Sequence, residues 1–169
     1  MNALRLAAIA TLTWVLACGS GSGTSASPAP SPAPTPADGG TTVTCQNDPI
    51  GIDAYAANMV KSSKSGALKL TLVASDPSPP SVGLNTWVLR VTDGSGTPVA
   101  GGLTKVTPFM PYHNHGPSVK PTLVKQPDGS YSVTNIDLFM PGVWQVTVTG
   151  AAVDAGSPDV VQLNFCIVG

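Results

Sequence analysis

No glutamate occurs anywhere in the 169 residues, so all nine acidic side chains are aspartates. Charged residues of both signs make up only 10% of the chain, aromatic residues 5%, and there are two histidines and three cysteines. Each shortage excludes something. Many of the aspartates sit in turn-forming contexts, among them "SDPSPP", "TDGSG" and "QPDGS", where a short carboxylate folds back onto its own backbone. No paired carboxylates stand out for general acid–base work, and no nucleophile is set beside a base. The sequence therefore does not read as an enzyme. Eight basic residues against nine acidic ones give a net charge of −1. That leaves no basic footprint for nucleic acid and no polybasic patch for a membrane surface. A monomer is expected.

The first stretch with a definite signature is "MNALRLAAIATLTWVLAC". One positive charge at Arg5 precedes an apolar run from Leu6 to Ala17, followed by Cys18. A short basic region, a short apolar core and small residues at the cut describe a secretory leader over residues 1–17. The run falls short of the roughly 20 residues of a membrane span. Val15-Leu16-Ala17-Cys18 resembles a bacterial lipobox, which makes Cys18 the expected lipidation site. Residues 18–40 read as a tether: "GSGSGTSASPAPSPAPTPADGG" is Gly/Ser-rich and then Pro/Ala-rich, with no apolar content for a core. At about 3.1 Å per residue the segment after Cys18 reaches up to ~70 Å. The expected location is extracytoplasmic, lipid-anchored to a bacterial membrane. Gly rather than Asp after Cys18 points to an outer membrane.

With Cys18 set aside, Cys45 and Cys166 remain, one near each end of the folded part. Outside the cytoplasm two such cysteines are expected to pair. The alternative, metal ligation by these thiols, lacks a CxxC partner for either.

From residue 41 to 169 the chain is long enough for one domain with its own core. Its periodicity is that of strands. Alternation runs through 67–75, 85–93, 118–125, 131–139, 143–150 and 160–168. "DGSG" at 93–96 and "PDGS" at 127–130 read as hairpin turns. Residues 53–63 read as a short helix or an irregular segment. The pattern predicts an all-β antiparallel sandwich of about seven strands, with Trp87 and Trp144 anchoring the core mid-strand.

Both histidines fall in one stretch, "FMPYHNHGP" (109–117), beside Met110. His113 and His115 are spaced i, i+2, which on an extended strand puts both imidazoles on one face. Met110 is at odd spacing, but Pro111 breaks the strand and can re-aim it. "LFMPGVW" places Met140 before a second Pro-Gly break. Two imidazoles with one or two thioethers form a soft ligand set, and thioether favours Cu(I). Zinc ordinarily takes three or four Cys, His or carboxylate ligands. The candidate site is therefore Met110, His113, His115 and Met140, with copper as the metal. Two plainer readings stay open: methionines filling gaps in the core, and histidines as a hydrogen-bonding pair around a turn at Asn114. A non-copper ligand is the third alternative. "HNH" is a literal string here, not the nuclease motif.

Several of these pieces occur together in one known pattern. Gly83-Leu84-Asn85-Thr86-Trp87, the "DxxGxPVxG" turn, Met110-Pro111 followed by His113 and His115, the Gly129/Tyr131 hairpin and Met140-Pro141-Gly142 before Trp144 resemble the YtkA-like/FixH-like family of extracytoplasmic domains. The resemblance runs from about Pro79 to Val148. It implies an immunoglobulin-like β-sandwich and no established enzymatic activity. FixH-type members accompany assembly of copper-containing respiratory oxidases, which implies a copper connection and a possible copper-protein partner. This chain departs from them in carrying a lipobox where they carry a membrane helix. Two functional classes follow. One is a copper-binding or copper-handling lipoprotein. The other is a structural or protein-interaction sandwich with no metal.

Overall fold

The computed structural model describes Cys45, residues 48–151 and residues 158–169. The leader expected over 1–17, the lipidation site Cys18 and the tether over 18–40 lie outside the described residues.

Eight strands and no helix make up the described domain. They are β1 (Met59–Ser62), β2 (Leu68–Asp76), β3 (Gly83–Asp93), β4 (Leu103–Phe109), β5 (Thr122–Lys125), β6 (Tyr131–Leu138), β7 (Gly142–Gly150) and β8 (Val160–Ile167). They form two antiparallel sheets, one in the order β1-β2-β3-β6-β5 and the other β4-β7-β8. One continuous core joins the two. Leu68, Leu70, Leu72, Trp87, Leu89, Val133, Ile136 and Leu138 from the first sheet meet Val106, Trp144, Val146, Leu163, Phe165 and Ile167 from the second. Alternation along each strand sends one side chain in two to this core, and the result is the expected β-sandwich.

Two bulges adjust that alternation. The pairing of β2 with β3 shifts between Leu72 and Ala74. The pairing of β3 with β6 shifts between Asn85 and Trp87, opposite Asn135, whose φ is 60°. Asparagine tolerates the left-handed region better than most residues. The extra residue lets Tyr131 and Val133 face inward on one side of it and Ile136 and Leu138 on the other. Asn85, itself buried, accepts from Ser81 N–H (3.1 Å) and donates to the carbonyls of Ser81 and Gly83 (both 2.8 Å). It ties the chain down as it enters β3.

Three local expectations need correction. Residues 53–63 are neither helical nor wholly irregular: 59–62 form β1, an edge strand paired with β2. In 118–125 only Thr122–Lys125 is strand, the Pro121 ring having removed an amide from the segment before it. The turn at 93–96 forms, with Gly96 N–H donating to Asp93 O (3.0 Å), and a bridge between Thr92 and Pro98 follows. It is not a hairpin between neighbouring strands, however, because the chain then crosses to the other sheet to begin β4. The turn at 127–130 does join paired strands, β5 and β6.

Serines and backbone amides at the turns hold three aspartates below their ordinary value of 3.8. The Ser95 hydroxyl, then the Thr97 amide, lower Asp93. The Ser130 hydroxyl, then its amide, lower Asp128. The hydroxyls of Ser63 and Ser65 lower Asp159. Asp128 is exposed and Asp93 and Asp159 are still reached by water, so each effect is small. The sign is fixed. The unfolded chain takes up protons first, so the stabilisation is present above the ordinary carboxylate value and is lost as pH falls through the lower folded values. A thermal melt should therefore be flat from neutrality down to about pH 5 and decline below about pH 4. Asp93→Asn with Asp128→Asn should flatten that decline, and an unchanged acid limb in this double variant would contradict the assignment.

Candidate functional site

The site residues are set by how β4 ends and β7 begins. After Phe109 the chain makes a tight loop. Met110 and His115 form an antiparallel bridge, with Met110 N–H donating to His115 O (2.8 Å) and His113 N–H donating to Met110 O (3.2 Å). Pro111 has no amide to leave unpaired, and Asn114 takes φ 53°, the left-handed turn position. The histidines thus sit on a turn, not on the extended strand expected from their spacing. The turn still brings them together: their ring centroids are 5.7 Å apart. His113 is exposed and His115 half-buried.

The second Met-Pro segment lies against the first. The His115 ring stacks on Phe139 with centroids 5.6 Å apart and planes 24° from parallel. Phe139 in turn meets Trp144 edge-on at 5.5 Å. Trp144 is fully buried, and its indole N–H donates to Met140 O (3.0 Å). Met140 is half-buried and packs on the core. Gly142 has φ 140°, a conformation side chains rarely adopt, and a Cβ placed there would stand 2.6 Å from Met110 Cε. The glycine leaves room for the Met110 methyl as well as for the turn.

All four predicted ligands are therefore gathered at one end of the sandwich, but at different depths. Met110 is 0% exposed and belongs to the core. Met140 and His115 form an intermediate layer, and His113 is outermost. The core-packing alternative for Met110 thus has direct support, and Asn114 is a turn residue, as the histidine-pair alternative expected.

Sequence reasoning missed three neighbours. Phe139 is 43% and Tyr112 56% exposed, large apolar surfaces beside the imidazoles. Tyr112 Oη donates to Asp48 Oδ1 (2.7 Å), and this hydrogen bond raises the phenol above its ordinary value. Asp48 lies just after Cys45, whose carbonyl accepts from Asp48 N–H (3.3 Å). Cys45 is bonded to Cys166, with Cα atoms 5.8 Å apart, and Cys166 pairs with Val143 in β7. The disulfide thus pins the beginning of the domain beside the histidine turn. Only the adjacency of Phe139 to Met140 and of Tyr112 to His113 hinted at the first two, and nothing local marks Asp48.

Among the described residues no three His, Cys, Asp or Glu side chains come together in a way that could hold a metal ion. A metal at this rim would take ligands beyond the two imidazoles from the thioethers.

A family model described as YtkA-like matches residues 62–149, just over half of the chain. The matched region contains Met110, His113, His115 and Met140 and excludes Cys18, Cys45 and Cys166. Comparison with curated proteins and with solved structures gave no significant match.

Proposed function

The chain belongs to the YtkA-like family, and on that premise we propose that it is a non-enzymatic, extracytoplasmic lipoprotein that binds or handles copper through Met110, His113, His115 and Met140. The observation that carries this reading is the pair of imidazoles 5.7 Å apart at the rim where both Met-Pro segments meet. Two rings that share one ion through nitrogens at roughly 2 Å keep their centroids about 5–6 Å apart. The spacing suits a shared ion without a backbone rearrangement. His113 offers the exposed ligand, and His115 and Met140 supply an imidazole and a thioether at intermediate depth. Met110 completes the set from beneath, after rotation of its side chain. Soft thioethers favour Cu(I) over Cu(II) and zinc. The resemblance to FixH-type proteins supports the same metal and a copper-protein partner.

The test is a Cu(I) titration against a chromophoric competitor. The chain should carry Cys18→Ser, so that a free thiol does not bind the metal. One equivalent should be taken up by this chain and none by the same chain with His113→Ala and His115→Ala. Acidification should weaken uptake, because protons compete for the same nitrogens. Equal uptake by both chains would remove the site. Anchoring is tested separately, by the mass of the mature protein: residues 1–17 should be absent and Cys18 acylated.

A second reading, an interaction module with no metal, is favoured by the full burial of Met110 and by the His115–Phe139 stack. It forecasts no copper uptake at all.

A further inference from the structure

Away from the histidine turn, a groove of about 430 Å³ runs between β4 and the segment that leads from His115 to β5. Six consecutive residues of β4, 104–109, line one wall. A strand that offered a face would contribute only every second residue; an unbroken run means that the groove follows the strand's backbone edge. That edge has no strand beside it among the described residues, because β4 pairs only with β7. Pro117, Val119, Pro121 and Leu123 make the opposite wall largely apolar, and Val119 is 44% exposed. At the rim end the groove is closed by Gly116, where a Cβ would stand 2.7 Å from Pro108 O.

The charge in the groove is of one sign. Lys105 lies in one wall and Lys120 in the other, and no carboxylate lines it. The two ion pairs among the described residues, Lys61–Asp53 and Arg90–Asp128, involve neither lysine. A lysine on an edge strand guards against chance pairing, and that explains Lys105 alone. It does not explain a second cation facing it across an apolar slot.

We infer that this groove docks an extended, acidic polypeptide segment of a partner protein. The segment adds a strand to the free edge of β4 over residues 104–107, short of Pro108, which has no amide to donate and whose carbonyl lies against Gly116; it places apolar side chains against Val119 and Leu123, and sets carboxylates beside Lys105 and Lys120. Strand addition draws affinity from main-chain hydrogen bonds and selectivity from alternate side chains, and the paired lysines supply the charge preference. The inference does not depend on metal binding.

The probe is a capped eight-residue peptide alternating valine with aspartate, with a control in which lysine replaces aspartate. Each is titrated into the ¹⁵N-labelled chain. The acidic peptide should shift amides within 104–109 and 116–123, and the basic peptide should not. Lys105→Ala with Lys120→Ala should weaken acidic-peptide binding roughly three- to thirtyfold. Lys105→Glu with Lys120→Glu should transfer preference to the basic peptide. Both lysines are exposed, so these chains keep their fold. Three results would overturn the inference: no shifts along β4 at millimolar acidic peptide, equal shifts with both peptides, or the same shifts on raising the chain's own concentration, which would make a second copy the occupant.

Discussion

Chains with Cys45→Ser and Cys166→Ser should melt roughly 12–20 °C below the parent under non-reducing conditions. The two cysteines are 121 residues apart. Releasing a loop of that length restores about 4–5 kcal/mol of chain entropy to the unfolded state. Other contacts also hold the segment that follows Cys45: Asn164 Nδ2 donates to the carbonyls of Ile50 (3.3 Å) and Gly51 (3.0 Å), and Asp53 N–H donates to Asn164 O (2.8 Å). Asp53 accepts from Lys61 Nζ (2.7 Å) and from Asn164 N–H (2.8 Å), and Tyr112 reaches Asp48. The loss should therefore be felt at the histidine turn as well as in the melt. Faster amide exchange at residues 112–115 in the double-serine chain is the local readout. An unchanged melting temperature would mean that the bridge is incidental to the fold.

Trp144→Ala should cost about 3–5 kcal/mol, the range for removing a fully buried large aromatic, and lower the melting temperature by roughly 10–20 °C. Trp144 differs from the other buried tryptophan in having a polar tie to the site. Its indole N–H holds Met140 O, and its ring braces Phe139, on which His115 stacks. The Trp87 indole N–H has no hydrogen-bond partner among the described residues, and its aromatic neighbour there is Phe165, edge-on at 5.6 Å, rather than a residue of the site. Trp144→Ala should thus weaken Cu(I) uptake beyond what its stability loss explains, whereas Trp87→Ala at similar stability should not. Chemical denaturation and competition titration on the two variants separate these effects. Equal copper affinity in both would show that Trp144 supports the core alone.

The sandwich was legible because alternation in β2, β3, β6, β7 and β8 is a local property of the chain. The placement of Trp87 and Trp144 within those runs told correctly where the core lies. The bulge at Asn135 was not legible: its left-handed backbone is stabilised by the pairing with β3, which no local pattern records. Met59–Ser62 escaped for a related reason, since a four-residue edge strand is defined by its neighbour β2 more than by its own residues. At the site, spacing placed His113 and His115 together for the wrong reason. A four-residue turn, closed by the Met110–His115 bridge, does what an extended strand was expected to do. The depth of Met110 was hidden, because a methionine beside a proline reads the same whether its sulfur faces core or solvent. Asp48 enters only through tertiary contact, and Phe139 is marked in the sequence only by its place beside Met140.

In the proposed site, thioether and imidazole share one copper ion at this rim. X-ray absorption at the copper edge tests it most directly, on the Cys18→Ser chain loaded with one equivalent of Cu(I). The expected spectrum has a nitrogen shell at about 2.0 Å together with a sulfur shell at about 2.3 Å, the sulfur shell lost in Met110→Leu with Met140→Leu. A spectrum of nitrogen and oxygen scatterers alone, or a chain that retains no copper through gel filtration, would contradict it.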